Sequence, residues 1–147
     1  MGLTKTASAK WTDGLHFEGA VGSGNTLAMD GEAGPNGFSP MELLVVGLAG
    51  CTGMDVIDIL RKKRQAVTEF EVNVRGDRHE EHPKCYSEMF VEYVVRGHHI
   101  DPKAVERSIE LSQTKYCSVS ATLAKGVKIT TSYRIEETEA EPELALA

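Results

Sequence analysis

Residues 39–64 read S-P-M-E-L-L-V-V-G-L-A-G-C-T-G-M-D-V-I-D-I-L-R-K-K-R, and the fold follows from taking them as one long helix around which the rest is arranged. Ser39 is placed to accept from the backbone N–H of Glu42 while the Glu42 side chain reaches back, a capping box, and Pro40 occupies N1, where a missing N–H costs nothing. Arg61, Lys62, Lys63 and Arg64 close the helix with positive charge against the negative end of its dipole. From Leu43 to Met54 there is no charged residue, so this part must be covered on nearly every side, and Cys51 lies within it. A bilayer span needs about 20 apolar residues, and Asp55 and Asp58 interrupt the run too soon. Gly47, Gly50 and Gly53 cost helix propensity, and their spacing predicts a stripe where a second helix approaches.

The flanks supply strands. Lys5 to Trp11 and Leu15 to Val21 read as a hairpin about Asp13-Gly14, with Leu15, Phe17 and Val21 on one face, and Thr26 to Asp30 as a third strand. After the helix the period changes to two: Phe70, Val72 and Val74 alternate with polar residues, and Tyr86 to Arg96 returns as the pairing strand. Asp101 as N-cap and Pro102 at N1 start a helix extending to about Lys115. Ser118 to Lys125 predicts a short helix stopped by Gly126, and Val127 to Ile135 a closing strand. The expected organisation is one α+β domain over residues 1–135 and a solvated acidic tail, 136–147, with five glutamates and no aromatic residue. One sheet cannot cover a helix apolar on nearly all sides, which makes a homodimer the default.

The net charge of −6 argues against binding nucleic acid, which requires clustered basic surface. The N-terminus carries no charged segment followed by an apolar stretch, and no lipidation signature, so a cytoplasmic protein without a membrane partner is expected. Three cysteines, an odd number widely spaced, do not make a disulfide framework, which leaves thiol chemistry or plain burial. Cys117, at a predicted helix start, should be more acidic than Cys51, because helix N-terminal amides stabilise a thiolate. His79, His82 and Cys85, with His98 and His99 on the returning strand, are zinc-type ligands, but their spacing matches no strong zinc pattern and Pro83 lies among them, so no metal is expected. No glycine-rich segment has phosphate-binding spacing.

The strings S-P-M-E-L-L-V-V-G-L-A-G-C-T, Y-V-V-R-G-H-H-I-D-P-K-A-V-E-R-S-I-E-L-S and K-Y-C-S-V-S-A-T-L, the last followed by G-V-K-I, resemble the OsmC/Ohr family of thiol peroxidases over nearly the whole chain. The resemblance implies an OsmC-like fold: two antiparallel sheets wrapped around paired central helices in an intertwined homodimer, with a site at the interface. It implies Cys51 as peroxidatic and Cys117 as resolving cysteine in the reduction of organic hydroperoxides, an oxidative-stress defence. No bound cofactor is implied, only an external dithiol such as dihydrolipoamide as reductant. The family also uses an arginine from its N-terminal strands and a glutamate early in the central helix. This chain has no Lys or Arg between Lys10 and Arg61, and the glutamate position falls on Met41, with Glu42 one residue later and turned by about 100°. Glu42 is the candidate for that role beside its capping one. Lys10 and His16 are poor replacements for an arginine, lacking its planar fork or its fixed charge. The pattern looks more like the YhfA-like branch, and it keeps open a non-catalytic alternative in which the interfacial pocket binds a small apolar ligand.

Overall fold

A computed structural model describes residues 3–31 and 36–139, and the chain falls into two compact units, Met1–Leu44 and Val45–Ala147. The first unit holds an antiparallel sheet ordered β1-β2-β3, from Ala7–Asp13, His16–Val21 and Thr26–Asp30. Gly14, at φ 51°, makes the β1–β2 turn, and Trp11 Nε1 donates to the Gly14 carbonyl at 2.9 Å. Phe17 pairs with Trp11 on one side and Met29 on the other, as the alternation predicts, but β2 begins at His16. The expected apolar face is not buried: Leu15 and Val21 are 59% and 47% exposed. An open apolar groove of about 400 Å³ runs over this sheet, lined by Ala7, Ala9, Gly19, Leu27 and Met29.

Helix α1, Pro40–Lys62, starts as the capping box requires: Ser39 N donates to Glu42 Oε1 at 2.8 Å and Glu42 N to Ser39 Oγ at 3.3 Å. Its length and apolar composition would suffice to cross a bilayer, so length alone does not exclude a span. What marks it as a core helix is a stripe at i, i+4 spacing, Leu48, Thr52, Val56 and Leu60, each fully buried, with a polar member hydrogen-bonded inside the protein. The glycines do not share one face. A Cβ on Gly53 would meet Val72 of the sheet at 3.2 Å, whereas Gly47 and Gly50 have nothing within 4 Å. Val46 and Met54 are exposed beside that bare strip.

The second unit's sheet is ordered β4-β5-β6, from Ala66–Arg78, Tyr86–His98 and Lys128–Glu137. β5 is central and nearly continuous in apolar residues, with Met89, Val91, Tyr93, Val94 and Val95 buried. It pairs antiparallel with β4 but parallel with β6, so this sheet is mixed. The parallel pairing has a physical cause: helices α2 (Pro102–Leu111) and α3 (Ser118–Leu123) carry the chain back to the starting end of β5, and parallel strands need such a crossover. Asp101 caps α2 by accepting from Lys103 N at 3.0 Å. The helix predicted to reach Lys115 ends its α-helical part at Leu111 and continues as a π-helical turn, Ser112–Tyr116, closed by Cys117 N donating to the Ser112 carbonyl at 2.8 Å. β6 runs two residues beyond the expected end, because Glu136 pairs with Arg96 at 2.6 Å and so belongs to the sheet. Of the acidic tail, residues 140–147 lie outside the described residues.

Gly97, buried where β5 pairs with β4 opposite Val67, has no room for a side chain: a Cβ there would collide with the Ala66 carbonyl. Gly97→Ala is expected to lower the unfolding free energy by about 1 to 3 kcal/mol, as overpacking does. Gly126→Ala, with nothing within 4 Å of its Cβ, serves as control in the same urea titration.

Candidate functional site

Three elements of the second unit, β5, the π-helical turn and α3, converge on the middle of α1. Thr52 Oγ1 lies 2.8 Å from Tyr93 Oη on β5, 2.7 Å from Ser112 Oγ and 3.2 Å from Gln113 Nε2 on the π-helical turn. Gln113 Nε2 also donates to Tyr93 Oη at 3.1 Å, and Ser120 Oγ of α3 donates to Gln113 Oε1 at 2.7 Å. Ser112 Oγ donates to Asp55 Oδ2, one turn along α1, at 2.9 Å.

These contacts fix the direction of every proton. A hydroxyl has one hydrogen to give and two lone pairs to receive. Ser112 spends its hydrogen on Asp55, so Thr52 donates to Ser112. Thr52 then accepts from Tyr93 and from Gln113, which fills its capacity. The result is a one-way chain, Tyr93 to Thr52 to Ser112 to the Asp55 carboxylate, with Gln113 bracing two of its members. Burial pushes the Tyr93 phenol up from its ordinary pKa, which keeps it a donor.

The two sequence-predicted cysteines meet at the edge of this cluster. Cys51 precedes Thr52 on α1 and is half-buried, whereas Cys117, at the end of the π-helical turn, is only 3% exposed. Neither is in a disulfide, and the Cys51 sulfur is close enough to act on the titration of Cys117. Cys117 does sit at a helix start, where its sulfur accepts from Ser120 N at 3.3 Å. The acidity expected from that position is nevertheless overturned. Burial pushes the Cys117 thiol up to about 11; the Ser120 amide opposes the rise, and the Cys51 sulfur and the Asp55 charge add to it. A six-residue helix offers few aligned amides, and desolvation of a thiolate outweighs them.

Glu42 is exposed, and its two bonds with Ser39 hold its carboxyl below the usual range. Lys10 lies on β1, and His16 on β2 is 3.6 Å from Asp30. The imagined zinc cluster is taken apart by the fold. His79, His82 and Cys85 sit at the β4–β5 turn, whereas His98 ends β5 beside Ala66, about 40 Å away along a strand of this length. Thr52, Tyr93, Ser112, Gln113 and Ser120 escaped the sequence reading. Only the polar run Ser112-Gln113-Thr114 inside a helix pointed to them.

The profile of the OsmC-like protein family matches residues 31–132. Protein YhfA of Escherichia coli K12 is 40% identical over 129 residues, spanning 88% of this chain and 96% of YhfA. A hypothetical protein from Aquifex aeolicus VF5 has a solved structure similar to this one, with a TM-score of 0.83 at 33% identity, over 92% of this chain and 98% of that one. The organic hydroperoxide resistance protein OhrB of Bacillus subtilis shares the fold, with a TM-score of 0.61 at 17% identity, over 91% of this chain and 100% of that one. The chain belongs to the OsmC-like protein family.

Proposed function

We propose that this protein is a thiol peroxidase for organic hydroperoxides, with Cys51 as the peroxidatic and Cys117 as the resolving cysteine. The observation that carries the reading is that the two free cysteines lie close enough to act on one another at the edge of one polar cluster, with Cys51 the more open of the two. Membership in a family that includes hydroperoxide resistance proteins supports it.

The Cys51 thiolate attacks the terminal oxygen of the O–O bond; the leaving alkoxide takes a proton and departs as the alcohol, and Cys51 becomes a sulfenic acid. The Cys117 sulfur then attacks the Cys51 sulfur, its proton leaves with the displaced hydroxide as water, and a disulfide remains. An external dithiol returns the pair to two thiols. Among the described groups that act on Cys117 there is no cation, and Asp55 adds negative charge. The neighbour that this account assigns to the attacking Cys51 is the Cys117 S–H, kept protonated by burial. Glu42 serves the helix start in this account. The absence of a cation favours the second reading, a protein that binds a small apolar ligand without turnover.

The protein acts as a homodimer in this proposal, through the apolar surfaces a single chain leaves bare: the β1–β3 groove and the strip of α1 at Gly47, Gly50 and Met54. Met54 is 72% exposed, and Met54→Glu would bury a charge if two copies of α1 pair there. Light scattering should give a dimer for the wild type and a monomer for Met54→Glu; a monomeric wild type would refute the pairing.

Turnover is tested with cumene hydroperoxide and a dithiol reductant. Cys51→Ser should lose consumption by at least about a thousandfold, since the nucleophile itself is removed. Cys117→Ser should keep the first oxidation and accumulate a sulfenic acid on Cys51 that a dimedone-type reagent traps. Full activity in Cys51→Ser would refute the mechanism. An inert wild type whose melting temperature rises equally with and without Cys51 in the presence of cumyl alcohol would install the binding reading instead.

A further inference from the structure

The corner of the sheet where β5 ends carries a donor set that the cysteine chemistry does not use. β5 finishes at His98, and β6 lies beside it in parallel register with Gly97 opposite Glu137. In a regular strand the next side chain would point to the other face. His99 instead has φ 51°, the left-handed region that a non-glycine residue enters only at a steric cost. The turn is held by Glu137, whose Oε1 and Oε2 accept from His99 N at 3.1 and 3.3 Å. Its consequence is that the two imidazoles lie against each other, with ring centroids 4.0 Å apart.

A ligating atom from each of His98, His99 and Glu137 lies within 4.8 Å of the other two. His98 Nδ1 is buried and 3.0 Å from Glu137 Oε2, yet the two are not aligned for a hydrogen bond, and Nδ1 has no other partner. The hydroxyl of Thr138, the residue just past the end of β6, is likewise buried without a partner. Among the described residues these are the buried side-chain polar atoms left without a hydrogen bond, and they fall on adjoining residues of one corner. Unsatisfied buried groups are costly and call for an explanation. A shared cation supplies one: a nitrogen and an oxygen 3.0 Å apart, each about 2.0 to 2.1 Å from an ion, subtend roughly 95° at it, a normal angle between adjacent ligands.

We infer that His98, His99 and Glu137 form a binding site for a divalent transition-metal ion of the zinc, cobalt or nickel type. Two imidazoles and one carboxylate suit borderline ions; magnesium and calcium require oxygen ligands throughout. Three protein ligands leave a coordination position for water or an exogenous ligand. Arg96, the nearby cation in sequence, does not oppose the ion, because it is neutralised by Glu136 and Glu69 at 2.6 and 3.2 Å.

The test is a cobalt titration of the tag-free, reduced full-length protein, followed by absorption and by zinc competition. The site predicts one ion per chain and a ligand-field spectrum without a thiolate-to-metal charge-transfer band. His99→Asn, which keeps a residue tolerant of the left-handed backbone, and Glu137→Gln, which keeps an acceptor for His99 N, should each weaken binding by about tenfold or more. Both variants should melt as the wild type does without metal, and His82→Asn at the far end of the hairpin should bind normally. No binding at metal concentrations up to about 100 µM, a thiolate charge-transfer band, or unchanged affinity in His99→Asn would each overturn the assignment.

Discussion

The hydrogen bonds that saturate Thr52 hold the second unit in its working arrangement. One hydroxyl on the fully buried stripe of α1 is tied to β5 through Tyr93 and to the π-helical turn through Ser112 and Gln113. A buried hydroxyl with a missing partner costs about 1 to 3 kcal/mol, so the three elements stay in register with one another as well as in contact. The residue before Thr52 is Cys51, and the residue after the π-helical turn is Cys117. Positioning the network therefore positions the two sulfurs. A π-helical turn suits this task, because its extra residue per turn reorients side chains that a regular α-helix would send elsewhere.

The electrostatics of the cluster run opposite to the simplest recipe for a reactive thiol. Among the described groups that act on Cys117 there is no cation, the Asp55 charge pushes its thiol up, and burial keeps the proton in place. In the proposed mechanism the open cysteine is the nucleophile and the enclosed one keeps its proton beside it. The OsmC-like fold accommodates this because the same helix crossover that makes β6 parallel to β5 also delivers Cys117 to the face of α1.

Much of this was legible in the sequence, for identifiable reasons. The capping box at Ser39 and Glu42, the Asp101-Pro102 start of α2 and the period-two pattern of β4 are local signals, and local energetics decide them. The nearness of Cys51 to Cys117 was legible only through family resemblance, since nothing in the spacing of two cysteines says that they meet. The parallel course of β6, the π-helical turn and the Thr52 network were not legible, because each depends on contacts between residues far apart in the chain. The acidity of Cys117 was misjudged for the same reason: its helix start is local, whereas the burial that outweighs it is tertiary.

The most direct test of the redox pair is a stopped-flow titration of the reduced protein with cumene hydroperoxide and, separately, hydrogen peroxide, counting thiols and locating any new disulfide by peptide mass. The account predicts loss of two thiols per chain in a single rapid event, faster with the organic peroxide, ending in a bond between Cys51 and Cys117 with Cys85 still free. Oxidation that consumes Cys85 first, or that leaves Cys51 and Cys117 reduced over minutes, would contradict it.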